Sequence, residues 1–439
     1  MPPLPIAPGP WPIPFAISAL PFTITGLRWS IAVLLSTAIA ISYLDRQALS
    51  VAVVAIQHDI PLSNTQFSQL QAGFLLAYAL MYAGGGALVD ALGTRRGMLV
   101  IMIAWSLASA SHGLATGFRS LLVSRFLLGM GEGGGFPAAT KAVAEWFPAR
   151  ERSTAMGLIN AGTAIGSVVA PPAIAAILLI AGWPWVFVAT GAVGIAWTIW
   201  WALTYQPAAT HPGLSPAERA ELHEVLTDSH PRGDAPVSWI RLLSFVEVWG
   251  LVLGKFLSDA AWYFYLFWLP KYLYDVRGFD VKQVGYYAWI PYAAAGVGAL
   301  TGGWFSSRLV QQGLSINAAR KIALGASAAV MPLIVFVTHA PTNLAIVLFS
   351  IAFFGQQSWS TLVMIVPTDL FPRRIVGSVA GLVGFGGAMG GVVFNLIAGR
   401  ILDSGLGYGT VFAIVGTFHV LAFVLILITI PQIRPLQRL

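Results

Sequence analysis

The chain has 439 residues, 57% of them apolar and only 9% charged, with no Cys and a mean hydropathy of +0.77. A soluble domain carries about 25% charged residues, so this composition excludes a soluble enzyme, a disulfide scaffold and a disordered chain. The net charge of +7, from 24 basic and 17 acidic residues, reads by its placement as a topology signal and not as a nucleic-acid footprint.

Residues 1–21 hold eight prolines and no Lys or Arg. A signal peptide needs a basic start and an unbroken apolar stretch, so residues 1–26 read as a Pro-rich arm, floppy or lying at the membrane surface. A bilayer-spanning helix uses about 20 apolar residues. Stretches of that kind are expected over 29–56, 65–90, 97–115, 120–145, 153–180 and 184–205. After a polar interruption they resume over 245–273, 283–308, 320–338, 342–369, 376–401 and 408–431. The expected architecture is therefore an all-α membrane protein with twelve transmembrane helices in two six-helix halves, an N-terminal bundle (27–205) and a C-terminal bundle (244–432). A polar linker (206–243), rich in Pro and acidic residues, joins the halves, and residues 433–439 form a tail.

Of the 24 Lys and Arg, fifteen fall on the side of the N-terminus, five on the other, and Arg46, Arg125, Lys141 and Lys255 lie inside spans. The positive-inside rule then places both termini in the cytoplasm. The halves also echo each other. Trp146-Phe147-Pro148-Ala149-Arg150 returns as Leu370-Phe371-Pro372-Arg373-Arg374, 224 residues later, and Gly86-x3-Asp90 returns as Gly302-x3-Ser306, 216 residues later. Two six-helix repeats are the organisation of secondary transporters.

Between spans two and three the chain reads Gly86-Ala-Leu-Val-Asp90-Ala-Leu-Gly93-Thr-Arg95-Arg96. Glycines there let helices approach, and Asp and Arg can form a charge latch. The segment resembles the loop signature of the major facilitator superfamily. Four further stretches, Tyr43-Leu44-Asp45-Arg46, Arg125 to Gly133, Phe264 to Tyr272 and Gln357-Ser358-Trp359-Ser360, together resemble the anion:cation symporter family, in particular its hexuronate and aldonate transporters. The likeness runs from about Leu27 to the last span. It implies proton-driven uptake of an organic monocarboxylate through a bacterial inner membrane, with Arg46 binding the carboxylate and Asp45 and Glu132 taking protons. One departure stands out: some galactonate-type relatives carry a substrate-facing Asn in span eleven, where this chain has Gly384.

The residues themselves support a charged site. An ionisable group inside a span costs about 2.5–3.5 kcal/mol on insertion scales and faces a cavity or a partner. Asp45 and Arg46 lie midway along span one, and Arg125 and Glu132 lie seven residues, about two turns, apart on one face of span four. Asp45 can pair with Arg125. Two static ion pairs gluing spans one and four would also satisfy this pattern, although membrane bundles pack on small residues without ions. A guanidinium presents a planar fork that suits a carboxylate.

Candidate hydroxyl-reading groups are Gln357, Ser360 and their neighbours in span ten, and Asn160 with Thr163 in span five. Tyr78 in span two and Tyr265 in span seven offer ring faces, as does Trp359, and the family pattern favours Tyr78 and Trp359. Lys255 and Asp259, one turn apart, fit a local ion pair. Gly129-x-Gly131-x-x-Gly134 matches a dinucleotide fingerprint, but no strand precedes it, so it reads as helix packing. The same packing logic covers Gly162-x3-Gly166, Gly298-x3-Gly302 and Gly387-x3-Gly391. The seven His show no metal spacing.

The sequence thus reads as a monomeric transporter of a sugar acid with protons, using no cofactor, binding no nucleic acid, and not an enzyme. The rival readings are a sodium-coupled or exporting carrier of another organic anion, and a transport-dead nutrient sensor.

Overall fold

The computed structural model describes residues 26–214, 218, 219, 222, 239–371 and 373–436. The Pro-rich arm and most of the linker therefore lie outside the described residues. Six helical rods build the first half: α1 Leu27–Asp59, α2 Asn64–Leu92, α3 Thr94–Ser111, the pair α4 Phe118–Glu132 and α5 Gly135–Trp146, α6 Ala149–Ala181 and α7 Trp183–Thr204. Six more build the second: α8 Val246–Asp275, the pair α9 Val281–Tyr287 and α10 Trp289–Gln311, and α11 Ile316–Ala329 continued by a 3-10 turn over Met331–His339. They end with α12 Thr342–Leu370, α13 Arg373–Asp403 and α14 Gly407–Thr429.

Among the described residues, eight helices are long and apolar enough to cross a bilayer, and α2, bent by 50° between Tyr82 and Gly84, makes nine. The remaining three rods are spans four, seven and eight. Span seven is α8, which carries five charged residues, Glu247, Lys255, Asp259, Lys271 and Asp275. Span four is interrupted in the middle, and span eight near its start, at Ala288. Sequence periodicity gave both as continuous; the break in span four falls at Gly133 and Gly134, immediately after Glu132. Five residues, Gly131 to Gly135, contain four glycines there, and glycine is a poor helix former.

The turn between α2 and α3 is a single residue, Gly93, with φ of 75°. A side chain in that left-handed region costs roughly 1–2 kcal/mol, which gives the signature glycine a backbone reason. Small residues set the helix contacts. A Cβ on Gly162 or Gly166 of α6 would meet Ser36 O or Ala40 O of α1, and one on Gly298 or Gly302 of α10 would meet Phe354 O or Ser358 of α12. Gly387 and Gly391 of α13 lie against Asp259 and Tyr263 of α8. All three glycine pairs are thus close-approach sites, as the spacing suggested. Gly166→Leu is expected to lower stability by about 1–3 kcal/mol through overpacking, read as a lower Tm in detergent. Gly157 on the same helix has open space around it, so Gly157→Leu is the tolerated control.

The halves meet where α2 packs on α13, α6 on α9 and α10, and α1 on α8. At the end of the bundle remote from the linker they are latched. The Asp403 carboxylate accepts from the backbone N–H of Asn64 and Thr65 at 3.0 and 2.7 Å, capping α2. Tyr274 Oη donates to Val51 O at 2.9 Å, and Phe67 sits edge-on to Trp268. At the linker end the halves part around two adjoining cavities of about 310 and 520 Å3, which share Ala79, Tyr82, Thr140 and Phe385 in their walls. The molecule is open at the linker end and closed at the other.

Candidate functional site

The deeper, 310 Å3 cavity lies between the halves. Its N-terminal wall carries Tyr78, Tyr82, Phe136, Thr140, Met156 and Asn160, and its C-terminal wall Lys255, Asp259, Tyr263, Met364, Gly384, Phe385 and Ala388. Behind Tyr78 stands an ion pair. Arg46 Nε donates to Glu132 Oε2 at 2.7 Å, and Ser42 Oγ donates to the same oxygen at 2.7 Å. Both partners are almost wholly enclosed, and Glu132 Oε1 accepts no bond among the described residues. The guanidinium lies 4.4 Å from the ring centre of Tyr78, 4.8 Å from Tyr43 and 5.5 Å from Phe74. Such cation–π faces stabilise a desolvated cation by roughly 2 kcal/mol. Among the described residues no protein acceptor bonds the two Nη atoms of Arg46, so its fork remains available to an anion.

Glycine explains how Glu132 reaches this point. Gly129 and Gly133 let α4 lie directly on the backbone of α2 at Phe74 and Tyr78. The helix then breaks, leaving Glu132 in the last turn of α4, halfway across the span and facing α1.

Asp45, next to Arg46 in sequence, faces elsewhere. It accepts from Trp105 Nε1 at 2.6 Å and Ser109 Oγ at 2.7 Å, both on α3, and Ser109 in turn contacts Thr190 of α7 at 2.9 Å. Successive helical residues project about 100° apart, so Arg46 turns towards Glu132 and Tyr78 and Asp45 towards α3. The expected Asp45–Arg125 pair is not formed. Arg125 donates instead to Gln71 Oε1 at 2.8 Å and Arg46 O at 3.2 Å, and its Nε and Nη1 have no bonded partner among the described residues. One of the two ion pairs that could have glued spans one and four therefore exists, enclosed behind Tyr78 and outside the cavity lining.

The opposite wall carries a second charge cluster. Lys255 Nζ lies 2.9 Å from Asp259 Oδ1 and donates to Ser360 Oγ at 2.6 Å. Gln356 Nε2 reaches Asp259 Oδ1 at 3.5 Å, and Gln356 Oε1 is bonded to His419 Nε2. Lys255 and Asp259 do form the local pair that their spacing suggested, but they do so on the cavity wall.

Other sequence candidates take distinct places. Tyr78 and Asn160 line the cavity, and Ser360 touches it through Lys255. Trp359 and Tyr265 lie outside the lining: Trp359 is buried against His419 and Phe423, and Tyr265 is stacked on Phe353. Gln357 is half-buried and also outside it. The phase of α12 accounts for this, because Gln356, Ser360 and Met364 recur every fourth residue on the cavity side while Gln357 and Trp359 fall off it. Tyr82 and Tyr263, one turn from Tyr78 and Asp259, were not singled out from the sequence. Four-residue spacing from a chosen site residue was the available signal.

At the linker end the signature loop is latched differently from expectation. Asp90, on the outer cavity's wall beside Gly86, pairs with Lys141 of α5 at 2.8 Å and not with Arg95 or Arg96. Arg95 Nη2 donates to Ala202 O at 2.8 Å, and Arg96 is exposed. Thr94 Oγ1 and Tyr205 Oη both donate to Glu145 at 2.6 and 2.8 Å. The second half repeats the scheme with different chemistry. Asp369, 224 residues after Glu145, pairs with Arg320 at 2.9 Å, and Arg320 also donates to Ser306, the residue that answers Asp90.

Comparison with known proteins agrees with this architecture. The hexuronate transporter of Escherichia coli (strain K12) is 30% identical over 417 residues, covering 94% of this chain and 96% of that protein. The D-galactonate transporter of Escherichia coli O6:H1 is 30% identical over 396 residues, covering 87% and 90%. The galacturonate transporter of Dickeya chrysanthemi is 33% identical over 297 residues, covering 67% and 86%. In fold, the chain is similar to the inward-open xylose transporter from Escherichia coli, with a TM-score of 0.70 at 15% identity, over 92% of this chain and 97% of that one. The family model of the Major Facilitator Superfamily matches residues 35–394. With its two six-helix halves, its signature loop and its central cavity, this chain belongs to the major facilitator superfamily and is a multi-pass membrane transporter, not an enzyme.

Proposed function

We propose that the protein is a proton-coupled symporter that imports a sugar acid, a hexuronate such as galacturonate or glucuronate or else an aldonate, by alternating access. The observation that carries this reading is the Arg46–Glu132 pair beside an inter-half cavity, with the guanidinium fork unengaged. The names of the relatives, transporters of hexuronate, galactonate and galacturonate, support the substrate class. Both termini lie in the cytoplasm of a bacterium, so the open linker end faces inward and a monomer suffices for transport.

The coupling follows from the charges. A substrate carboxylate takes the free Nη fork of Arg46 and shares the guanidinium charge with Glu132, which holds Nε. Two carboxylates on one guanidinium leave an excess negative charge in a dry site, which costs several kcal/mol, so Glu132 takes a proton as the substrate binds. Tyr78 and Asn160 contact the sugar, with Ser360 on the far wall. Asp45 holds the second proton position, behind Trp105 and Ser109. Release to the linker side leaves the whole guanidinium charge to Glu132, which gives up the proton in the same direction.

Proteoliposomes test the ion. Uptake of a hexuronate is expected to follow an acid-outside gradient, to move net charge and to proceed without sodium. Accumulation driven by a sodium gradient and indifferent to protons would overturn the proton scheme in favour of a sodium-coupled carrier.

A further inference from the structure

The proposed mechanism uses one cation, Arg46, and leaves the second cluster on the opposite wall unexplained. Lys255 and Asp259 are 93% buried, line the same cavity as Tyr78 and Asn160, and sit 2.9 Å apart. A structural role explains the cluster poorly. A buried pair is often no more stabilising than apolar residues of the same volume, and ionisable groups within a span mark substrate paths. The same helix offers a contrast. Lys271 and Asp275 have the same spacing and a 2.8 Å contact, but Asp275 also accepts from Tyr408 Oη, is 31% exposed, and lies at the closed end away from the cavity. That pair has a packing partner and a wet edge. The Lys255–Asp259 pair instead has the cavity.

The cluster is also built to release its cation. Gln356 Nε2 already stands 3.5 Å from Asp259 Oδ1 and is held from behind by His419. If an anion takes Lys255, Asp259 keeps a donor. Ser360, which now accepts from Lys255 at 2.6 Å, can turn its hydroxyl to donate to the incoming group.

We infer that Lys255 and Ser360 form a second anion station facing Arg46, so that the preferred substrate is a sugar diacid with one carboxylate on each wall. This rests on the sugar-acid reading above and narrows it. A carboxylate fits better than a phosphate. The station supplies one positive charge beside the negative Asp259, so a doubly charged head group would meet net repulsion. Two opposed stations also bind the two halves through one ligand, which favours the occluded state needed for the transition.

The experiment is a titration of purified full-length protein with glucarate, a six-carbon diacid, and glucuronate, a six-carbon monoacid. Wild type is expected to bind the diacid at least tenfold more tightly. In Lys255→Gln/Asp259→Asn, which removes both charges and keeps the side-chain volumes, the diacid-to-monoacid ratio is expected to collapse at least tenfold, and Lys255→Arg is expected to restore most of it. Glucose 6-phosphate, the third probe, is expected to bind no better than the monoacid. Equal affinities for diacid and monoacid in wild type, or an unchanged ratio in the double variant, would overturn the second station and leave the sugar-acid reading intact. Tighter binding of the sugar phosphate than of the diacid would overturn the diacid assignment. Binding of neither sugar acid would overturn both readings together.

Discussion

Arg46→Ala is expected to abolish sugar-acid binding, with a loss of at least 100-fold, in a protein that still folds. The magnitude follows from the site. Each of the fork's two hydrogen-bonded charge contacts contributes about 1.5–3 kcal/mol, and about 1.4 kcal/mol is tenfold in affinity, so losing both exceeds 100-fold. The variant also strands Glu132, which would keep only Ser42 as a donor. Arg46→Ala/Glu132→Gln removes that liability and is the companion variant, with Tm in detergent showing that each remains folded. Arg46→Lys is expected to fail largely as well, because an ammonium has no planar fork and loses the bidentate geometry. Titration of the folded variants with a hexuronate is the measurement. Near wild-type affinity in Arg46→Ala would remove Arg46 from the substrate site.

Glu132→Gln is expected to separate exchange from coupling. The amide imitates the protonated acid, leaves Arg46 without a counter-charge, and so invites the substrate carboxylate; binding should not weaken. Counterflow of labelled substrate across the membrane should persist. Accumulation driven by a proton gradient should fall to the level set by exchange alone, because position 132 can no longer release a proton inside. Asp45→Asn should lose accumulation too, and also some stability, since Asp45 takes both Trp105 and Ser109. The two assays belong in one proteoliposome preparation. Full proton-driven accumulation by Glu132→Gln would make Glu132 a packing residue and move the coupling elsewhere.

Much of this was readable without coordinates. The twelve rods follow from apolar stretches of bilayer length, and their ends agree within a few residues: 184–205 was expected where α7 is Trp183–Thr204, and 342–369 where α12 is Thr342–Leu370. The expected loop glycine, Gly93, is a one-residue left-handed turn. The interruption of span four was not expected, because hydropathy is blind to a backbone break inside an apolar stretch. The same holds for span eight, which breaks at Ala288.

The sequence by itself determined which residues are charged inside the membrane, because hydropathy and the cost of burying charge are properties of local composition. Those grounds singled out Asp45, Arg46, Arg125 and Glu132 together, and the family resemblance gave Arg46 and Glu132 their separate roles. The sequence could not determine partners. Arg46 and Glu132 are 86 positions apart, and their pairing depends on how α4 lies across α1 and α2, a matter of glycine contacts between helices. The same residue types allowed Asp45 to meet Arg125 and Asp90 to meet an arginine of its own loop, yet neither pairing formed. Helix phase turned Asp45 towards Trp105, and the approach of α5 brought Lys141 to Asp90. Only the tertiary structure placed Lys255 and Asp259 on the cavity wall, because a one-turn ion pair looks the same in sequence whether it faces lipid, protein or substrate.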